Sequence, residues 1–251
     1  MRKTPIYLDN NATTPLRAAA VTAMQDAMGP PANPSSVHGF GRNARLIVEM
    51  ARSAVAMLAG CRAADVVFTS GGTEANNLVM AQYDHVITSA IEHDSVRYAH
   101  QDCQQIGVDE NGVVDLDRLA KVIAGIDDAA KPRTLVSIMA ANNETGVIQP
   151  VGEIVEIADD IPVHCDAVQS FSKVPLSHKD LGLFAMTISA HKVGGPLGIG
   201  ALILRRAVEI PPLLHGGGQE RDIRSGTLNA PSIVAFAAAV EAHLYDSKKV
   251  T

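Results

Sequence analysis

Residues 187–204, with the sequence TISAHKVGGPLGIGALIL, hold two apolar runs separated by a glycine-rich stretch. Short apolar runs bounded by glycine and proline predict β-strands, here Thr187–Ser189 and Ala201–Leu204, joined by a tight loop. Lys192 lies on this loop. Most lysines are solvated surface residues, whereas a partly desolvated lysine can form a Schiff base with an aldehyde. The loop makes Lys192 a candidate, which the surrounding sequence has to support.

Apolar runs of strand length recur along the rest of the chain and alternate with helical patterns. They are Val66–Thr69, Val86–Thr88, Leu135–Met139 and Val163–Asp166. Strands that alternate with helices are typical of an α/β domain. We therefore predict a mostly parallel central sheet flanked by helices. Since no linker or repeat interrupts the pattern, residues 15–251 are predicted to form one domain, preceded by an arm at residues 1–14.

One long amphipathic helix is predicted over residues 41–58. The stretch Pro34-Ser35-Ser36, whose serines can cap a helix, precedes it, and Gly60 marks its end. Its apolar side chains are expected to pack on the sheet. They are Leu46, Ile47, Met50, Val55 and Leu58.

The composition excludes several classes of protein. The chain has 251 residues, of which 47% are hydrophobic and 19% charged, and its formal net charge is −6. No run of Lys and Arg with interleaved aromatic residues predicts nucleic-acid binding. The longest apolar run, Ile233 to Val240, is far shorter than the roughly 18 residues that a membrane span needs. Three irregularly spaced cysteines favour a reducing compartment, by default the cytoplasm, and no metal site is predicted.

Several predicted strands run directly into polar residues, and in open α/β sheets ligands bind beyond the carboxyl ends of strands. Ser70-Gly71-Gly72-Thr73 follows one strand and opens a helix, where free N–H groups and the helix dipole favour a phosphate. Glycines before a threonine are also an ordinary way to start a helix. Asp166 ends another strand, where a buried carboxylate needs a positive partner such as a pyridinium nitrogen. Capping of a following turn is the alternative for Asp166.

Eight motifs follow one another over nearly the whole chain and are together far more specific than any one alone. They are YLDNNATTP at 7–15, NPSSVHGFGRNAR at 33–45, FTSGGTEANN at 68–77, EHDSV at 92–96, SIMAANNETGVIQP at 137–150, HCDAVQS at 164–170, SAHKVGGPLGIGAL at 189–202 and GGGQERDIRSGT at 216–227. In this order the sequence resembles the cysteine desulfurases, which belong to the class V aminotransferase group. The resemblance implies the large domain of a fold-type-I pyridoxal-phosphate-dependent transferase.

The resemblance implies roles for four residues around the cofactor ring. Lys192 would hold pyridoxal 5'-phosphate covalently, and Asp166 would pair with the pyridine nitrogen. Gln169 would donate to the ring hydroxyl without adding a charge. His93 would stack on the ring and move protons, work that suits histidine because it titrates near neutrality.

The resemblance also implies phosphate and substrate contacts. Thr73, Ser189 and His191 match phosphate-binding positions. Thr227 matches a residue that reaches the phosphate of a neighbouring subunit, so a homodimer is expected. Asn142 matches a position that holds the substrate carboxylate. Taken alone, Thr227 and the Asn142-Asn143 pair would both be interpreted as turn residues.

The implied reaction converts L-cysteine to L-alanine and passes the sulfur to a persulfide. The persulfide would serve iron–sulfur cluster or thio-cofactor synthesis, and a sulfur-acceptor or scaffold protein is a further expected partner. In the family the attacking cysteine and a substrate-binding arginine belong to a C-terminal small domain, which we expect to be absent from this sequence. Cys61, Cys103 in a polar helix-like stretch, and Cys165 are not expected to replace that cysteine. Without the small domain, we expect the apolar residues of a C-terminal helix to be exposed, namely Ile233, Val234, Phe236, Ala237 and Val240.

Two alternatives stay open on the sequence alone. The chain could be another class V lyase or aminotransferase, because the motifs mainly serve the cofactor. It could also be a non-catalytic truncated scaffold subunit, against which the complete set of Lys192, Asp166, Gln169 and His93 argues.

Overall fold

The computed structural model of the protein describes residues 5–29, 33–205 and 210–250, with the backbone alone for residues 245–250. The helices are α1 (Ala18–Ala27), α2 (Gly39–Ala59), α3 (Gly72–Met80), α4 (Asp94–Arg97), α5 (Leu116–Ala124), α6 (Val151–Ala158) and α7 (Ala230–Val250). The strands are β1 (Val66–Thr69), β2 (His85–Ser89), β3 (Cys103–Ile106), β4 (Thr134–Met139), β5 (Val163–Asp166), β6 (Ala185–Ser189) and β7 (Gly200–Leu204).

The strands form one sheet in the order β1-β7-β6-β5-β4-β2-β3. β7 is antiparallel to both of its neighbours, and the other adjacent pairs are parallel. The predicted mostly parallel sheet is confirmed, as are all six predicted strands. The prediction of a helix-like stretch around Cys103 is wrong, because Cys103 begins the edge strand β3. That strand carries two glutamines and has two exposed positions, so its composition does not resemble that of a buried strand.

The loops that follow the mutually parallel strands meet at one edge of the sheet, and the antiparallel β7 starts from the same edge. β1, β2, β4, β5 and β6 all end at this edge, and β7 begins there, since Gly200 pairs with both Thr69 and Ser189. Polar residues that follow these strands therefore converge. The arm also reaches this edge, because Thr14 N donates to the carbonyl of His191 at 2.9 Å. Residues 1–4 of the predicted arm lie outside the described residues.

Alternate strand residues face two apolar layers. On one face Phe68, Ile138 and Ile203 pack in a large cluster with side chains from α2, α5, α6 and α7. On the other face Val67 and Leu202 pack with Leu78 of α3. Burial on both faces explains why the central strands are continuously apolar rather than alternating.

The long helix α2 is confirmed, as is the packing of Val55 and Leu58 on the core, but its predicted start is wrong and so is the predicted packing of Leu46 and Met50. His38, rather than Pro34-Ser35-Ser36, caps the helix, with Nδ1 accepting from Gly41 N at 3.3 Å. Gly60 ends it in the left-handed conformation, with φ 63°. The buried stripe consists largely of alanine and valine, whereas Leu46 and Met50 are 59% and 64% exposed. The small alanines let the helix approach the core closely, which turns the larger residues outward.

The C-terminal helix α7 is buried, contrary to the expected exposure of its apolar residues. Ile233, Phe236 and Val240 are each 0% exposed, because α1 and α2 pack against the helix and Phe171 meets Phe236 edge to face at 6.4 Å. Within the described ranges, no helix combines the length and apolar character that a membrane crossing requires.

A network of charges covers the outer side of β1, the edge strand. Arg52 of α2 forms a bidentate pair with Glu220, at 2.7 and 2.8 Å, and donates to the carbonyl of Val66 at 2.9 Å. Glu220 in turn accepts from Phe68 N at 2.7 Å. Glu220 begins a left-handed turn, in which three consecutive residues have φ values of 47°, 61° and 63°. The pair thus holds the 216–227 loop against the sheet.

Candidate active site

A cavity of about 510 Å³ opens at the edge where the strand ends converge. We call it the cleft. Of the nine residues predicted for the site, it brings together seven: Thr73, His93, Asp166, Gln169, Ser189, His191 and Lys192. It is also lined by residues of the arm and by Asn76 and Asn143, to which the sequence analysis assigned no role.

Lys192 reaches the cleft from the short turn between β6 and β7. Its Nζ donates to the carbonyl oxygens of Asn11 and, at 3.0 Å, of Ala12, both in the arm. Burial lowers the pKa of Lys192, and the positive charge of Lys173 lowers it further. A lowered pKa increases the fraction of neutral amine, which is the form that attacks a carbonyl carbon.

Gln169 lies in the cleft with the orientation of its amide fixed by its partners. Lys173 Nζ donates to Oε1 at 3.1 Å, and Nε2 donates to the carbonyl of Asn11 at 2.9 Å. Because an ammonium can only donate and a carbonyl can only accept, these contacts decide which end of the amide is the donor. Gln169 therefore presents an N–H group to the side of the cleft that holds Lys192.

Asp166 is buried at the end of β5 and accepts only from neutral donors. Asn76 Nδ2 donates to Oδ2 at 2.8 Å and Val168 N donates to Oδ1 at 2.9 Å. The second contact is the turn that the alternative interpretation predicted. Burial raises the pKa of Asp166, although these hydrogen bonds and the charges of His93 and Lys192 oppose the rise.

Two buried oxygens beside Asp166 have no hydrogen-bond partner. One is Oδ1 of Asn76, and the other is Oε2 of Glu92. Burial raises the pKa of Glu92 to about 8, and the charge of Asp166 acts in the same direction. From the sequence, Glu92 received no role of its own and stood only within the EHDSV motif at 92–96. The one sequence feature that could have pointed to Glu92 is its position directly before His93, a predicted site residue.

The start of α3 is shaped to accept an anion. Gly71 precedes the helix with φ 156° and supplies no side chain to cap its first turn. A Cβ atom at Gly72 would lie 2.8 Å from a methyl group of Val168, so a larger residue would be displaced. Thr73 is the second residue of the helix and lines the cleft. Amides at the start of a helix can bind phosphate oxygens.

Two histidines flank the cleft. His93 Nδ1 contacts both the amide of Ser95 at 3.1 Å and its hydroxyl at 2.8 Å, which leaves the rest of the ring facing the cleft. His191 Nδ1 contacts the hydroxyl of Thr13 at 3.2 Å. Burial lowers the pKa of His191, and Lys192 lowers it further. With Nδ1 on Thr13, the other ring nitrogen of His191 is the one available to a ligand in the cleft.

Asn142 and Thr227, the remaining predicted residues, do not line the cleft. Asn142 is 6% exposed, and its Oδ1 accepts from the amides of Glu144 and Thr145, as the turn interpretation predicted. Its Nδ2 donates to the carbonyl of Ile91, so the side chain is used within the loop. The neighbouring Asn143 faces the cleft instead. Thr227 is exposed, outside the cleft.

None of the three cysteines is poised to be a nucleophile. All are free thiols. Burial raises the pKa of Cys61 to about 12, raises that of Cys103, and raises that of Cys165 well above its usual value. A raised pKa keeps the sulfur protonated and unreactive. In the part of the chain that the structure describes, no group of three or more His, Cys, Asp or Glu side chains could hold a metal ion.

Comparison with known proteins gives consistent likenesses. The family described as aminotransferase class-V matches residues 6–248. Cysteine desulfurase IscS from Dictyoglomus turgidum is 39% identical over 265 residues, and the chain spans about two thirds, 66%, of that relative's length while 98% of the chain is matched. A solved NifS-like protein from Rickettsia africae gives a TM-score of 0.93 at 37% identity, covering 98% of this chain and 71% of that one. SspA in complex with cysteine gives a TM-score of 0.85 at 34% identity, covering 98% and 77%.

Proposed function

This chain belongs to the aminotransferase class-V family, and from that premise we propose that it binds pyridoxal phosphate in the cleft and acts on L-cysteine as a cysteine desulfurase. The family match and the structural likenesses confirm the resemblance and the fold class predicted from the sequence. The observation that carries the proposal is the pair formed by a buried carboxylate, Asp166, and a lysine of lowered pKa, Lys192, in one cleft.

The residues of the cleft fit the three ends of the cofactor. Asp166 forms no ion pair among the described residues, so a pyridinium nitrogen would supply the cation that its burial requires. The uncapped start of α3 and the bare backbone at Gly72 offer N–H groups to a phosphate. Ser189 and His191 line the same cleft. Lys192 offers its amine to an aldehyde.

When bound, pyridoxal phosphate supplies an aldehyde for primary amines and a protonated ring that withdraws electrons from the carbon next to an amino group. Asp166 would accept a hydrogen bond from the ring nitrogen and favour its protonated form. Gln169 donates to the ring oxygen from its fixed Nε2. Lys192 provides the amine to which the cofactor is attached, and it can afterwards accept or return a proton at Nζ.

We propose His93 as a second proton carrier of the cleft. Its Nδ1 is occupied by Ser95, which leaves the other ring nitrogen for a proton of the substrate. Asn143 is the residue that we propose for contact with the substrate carboxylate, because it faces the cleft while Asn142, the residue carried over from the family, is used within its turn.

The sulfur acceptor is proposed to be a thiol from outside the three cysteines of this chain, since burial keeps all three protonated. Sulfur passes from L-cysteine to that thiol, which leaves L-alanine and a persulfide. The persulfide would then serve iron–sulfur cluster or thio-cofactor synthesis through an acceptor or scaffold protein.

We also propose that the protein is a cytoplasmic homodimer. Exposed Thr227 at the end of the 216–227 loop is available to a second subunit. Large apolar side chains are exposed on and before α2, which favours a protein partner for that surface. They include Val37, Phe40, Leu46 and Met50. The three free cysteines agree with a reducing compartment.

The first test is the visible absorption spectrum of the purified chain with pyridoxal phosphate, followed by borohydride reduction and peptide mass spectrometry. The wild type is expected to gain an absorption band and a reduced label on Lys192. Lys192→Ala should lose both, and the matched control Lys179→Ala, at an exposed lysine, should keep both. A label on another lysine, or no band in the wild type, would contradict the proposed cofactor site.

L-cysteine and dithiothreitol, which supplies a thiol acceptor, are then added and L-alanine is measured. Alanine and sulfide in equal amounts support the desulfurase. Turnover of another amino acid, with none of cysteine, would instead favour a different class V lyase or aminotransferase. Cofactor binding without any turnover would favour the scaffold subunit.

A further inference from the structure

Glu92 lies in the connection from β2 to α4 and is almost completely buried, with 4% of its surface exposed. Its Oε1 accepts from the hydroxyl of Ser89 at 2.5 Å and from the amide of Met139 at 3.0 Å. Ser89 ends β2 and Met139 ends β4. One carboxyl oxygen therefore ties the connection to two neighbouring strands.

The next residue in the chain is His93, which lines the cleft and caps α4. The anchor at Glu92 consequently fixes the point at which the backbone leaves the sheet to carry His93. Met139 also pairs with Asp166 across β4 and β5, and it lines the cleft itself. Glu92 thus contacts the backbone on both sides of the cleft, the side that carries His93 and the side that carries Asp166.

The surroundings of the second carboxyl oxygen of Glu92 favour the neutral, protonated form of the side chain. Oε2 is buried without a hydrogen-bond partner, and among the described residues no lysine or arginine pairs with the carboxyl group. The titratable groups coupled to Glu92 are Asp166 and Cys165, both on β5, while His93, Asp94 and Arg97 line one surface pocket with it. An ionised Glu92 would add a second negative charge beside Asp166. Burial raises the pKa of Glu92 to about 8, in agreement with this arrangement.

We propose that Glu92 is a positioning residue of the cofactor site, which holds a proton at neutral pH and anchors the connection that carries His93 without adding a charge beside Asp166. The link to the cofactor rests on the proposed function. The protonation state and the anchor do not, so they can be measured on the chain without cofactor.

Infrared spectroscopy of the cofactor-free chain tests the proton. A carboxylic-acid C=O band is expected in the wild type at pH 7, and it should be missing from Glu92→Gln and decline in the wild type as the pH passes about 8. Glu110→Gln, at an exposed glutamate, is the matched control and should keep the band. Identical wild-type and Glu92→Gln spectra in this region at pH 7 would overturn the proposal.

The anchor is tested by the exchange rate of the Met139 amide and by the dissociation constant for pyridoxal phosphate. Glu92→Gln keeps an accepting oxygen, so it should preserve both within about twofold, whereas Glu92→Leu should speed the exchange and weaken cofactor binding about tenfold. If Glu92→Leu does not fold, Glu92→Asp, one methylene shorter, replaces it. Unchanged exchange and affinity in the folded variant would overturn the positioning role.

These readouts separate two kinds of failure. A wild type that never binds the cofactor would defeat the proposed function, while the infrared band and the Met139 exchange would still decide the role of Glu92. If Glu92→Gln loses as much cofactor affinity as Glu92→Leu, a neutral hydrogen-bonding side chain is not sufficient to maintain the site. That result would overturn the proposal as well.

Discussion

The cleft and the outer edge of β1 each bury a carboxylate, but the two are satisfied differently. Glu220, at the edge, meets the guanidinium of Arg52 and the amide of Phe68. Asp166, in the cleft, meets only the amide groups of Asn76 and Val168. Removing a charge from water costs several kcal/mol unless a partner compensates it. The edge therefore holds a completed ion pair with a structural role, whereas the carboxylate of the cleft has no ion-pair partner among the described residues, as the proposed cofactor site requires.

The largest effect is expected where the comparison predicts a completed pair. Glu220→Gln removes the buried carboxylate that pairs with Arg52, leaving the arginine only the half-exposed Glu49 as an ionic partner, and should lower the free energy of unfolding by about 3–5 kcal/mol. Urea denaturation of the cofactor-free chain measures this. Glu49→Gln is the matched control, because Glu49 contacts the same arginine at 3.1 Å from a 54% exposed position and should cost less than about 1 kcal/mol. Equal losses of unfolding free energy in the two variants would show that the buried pair with Glu220 is no more stabilising than the exposed pair with Glu49.

A smaller effect, with a marked pH dependence, is expected at Glu92, which is buried behind the cleft-lining His93. The unfolded state loses the Glu92 proton near pH 4.5, but the folded state keeps it up to about pH 8. Between these values the folded state binds more protons, so rising pH destabilises it, by up to about 1.4 kcal/mol per pH unit for one group. Urea denaturation measures the free energy of unfolding at pH 5 and at pH 8. Between these two pH values the stability of Glu92→Gln relative to wild type should increase by about 2–4 kcal/mol. A difference that stays constant between the two pH values would contradict the raised pKa of Glu92, and hence its neutral state in the folded protein.

The smallest effect is expected at a pair that links the two regions. Arg224, in the 216–227 loop, donates to Glu74 of α3 at 2.8 Å, and Glu74 accepts from Ser70 N, also at 2.8 Å. Although burial acts in the opposite sense, these hydrogen bonds hold the pKa of Glu74 below its usual value. Arg224→Gln should therefore cost about 1 kcal/mol at pH 7, and less as falling pH protonates Glu74.

The control for this pair is Arg118→Gln, which removes an exposed arginine from α5. Thermal unfolding at pH 7 and at pH 3.5 is the measurement. If the cost of Arg224→Gln does not decrease at the lower pH, its stabilising role does not depend on an ionised Glu74.

Local sequence was sufficient for six of the seven strands, and the resemblance to the family supplied most of the residues that meet in the cleft. Six strands could be predicted because their apolar runs are bounded by polar or glycine-rich residues, and seven of the nine site residues lie together because they follow strands that end at one edge. β3 could not be predicted in this way, since Cys103–Ile106 has a polar composition suited to an edge strand. The packing of Leu46 and Met50 of α2 was predicted wrongly because alanines make much of the contact, whereas Val55 and Leu58 do face the core.

The remaining features depend on contacts that no local pattern records. Arg52 and Glu220 are separated by 168 positions, and Lys192 and Asn11 by 181. The unpaired oxygen of Glu92 becomes visible only when the surroundings of the carboxyl group are known. The pairing and protonation of a buried charge therefore had to come from the structure.

The charges along β1 also bear on self-association. The outward-facing backbone groups of an edge strand can pair with a strand of another molecule and so begin aggregation. Here the carbonyl of Val66 and the amides of Phe68 and Ser70 are occupied by Arg52, Glu220 and Glu74. This side of the sheet is thereby closed to strand addition, and loss of Glu220 would expose a template for intermolecular β-structure as well as weaken the fold.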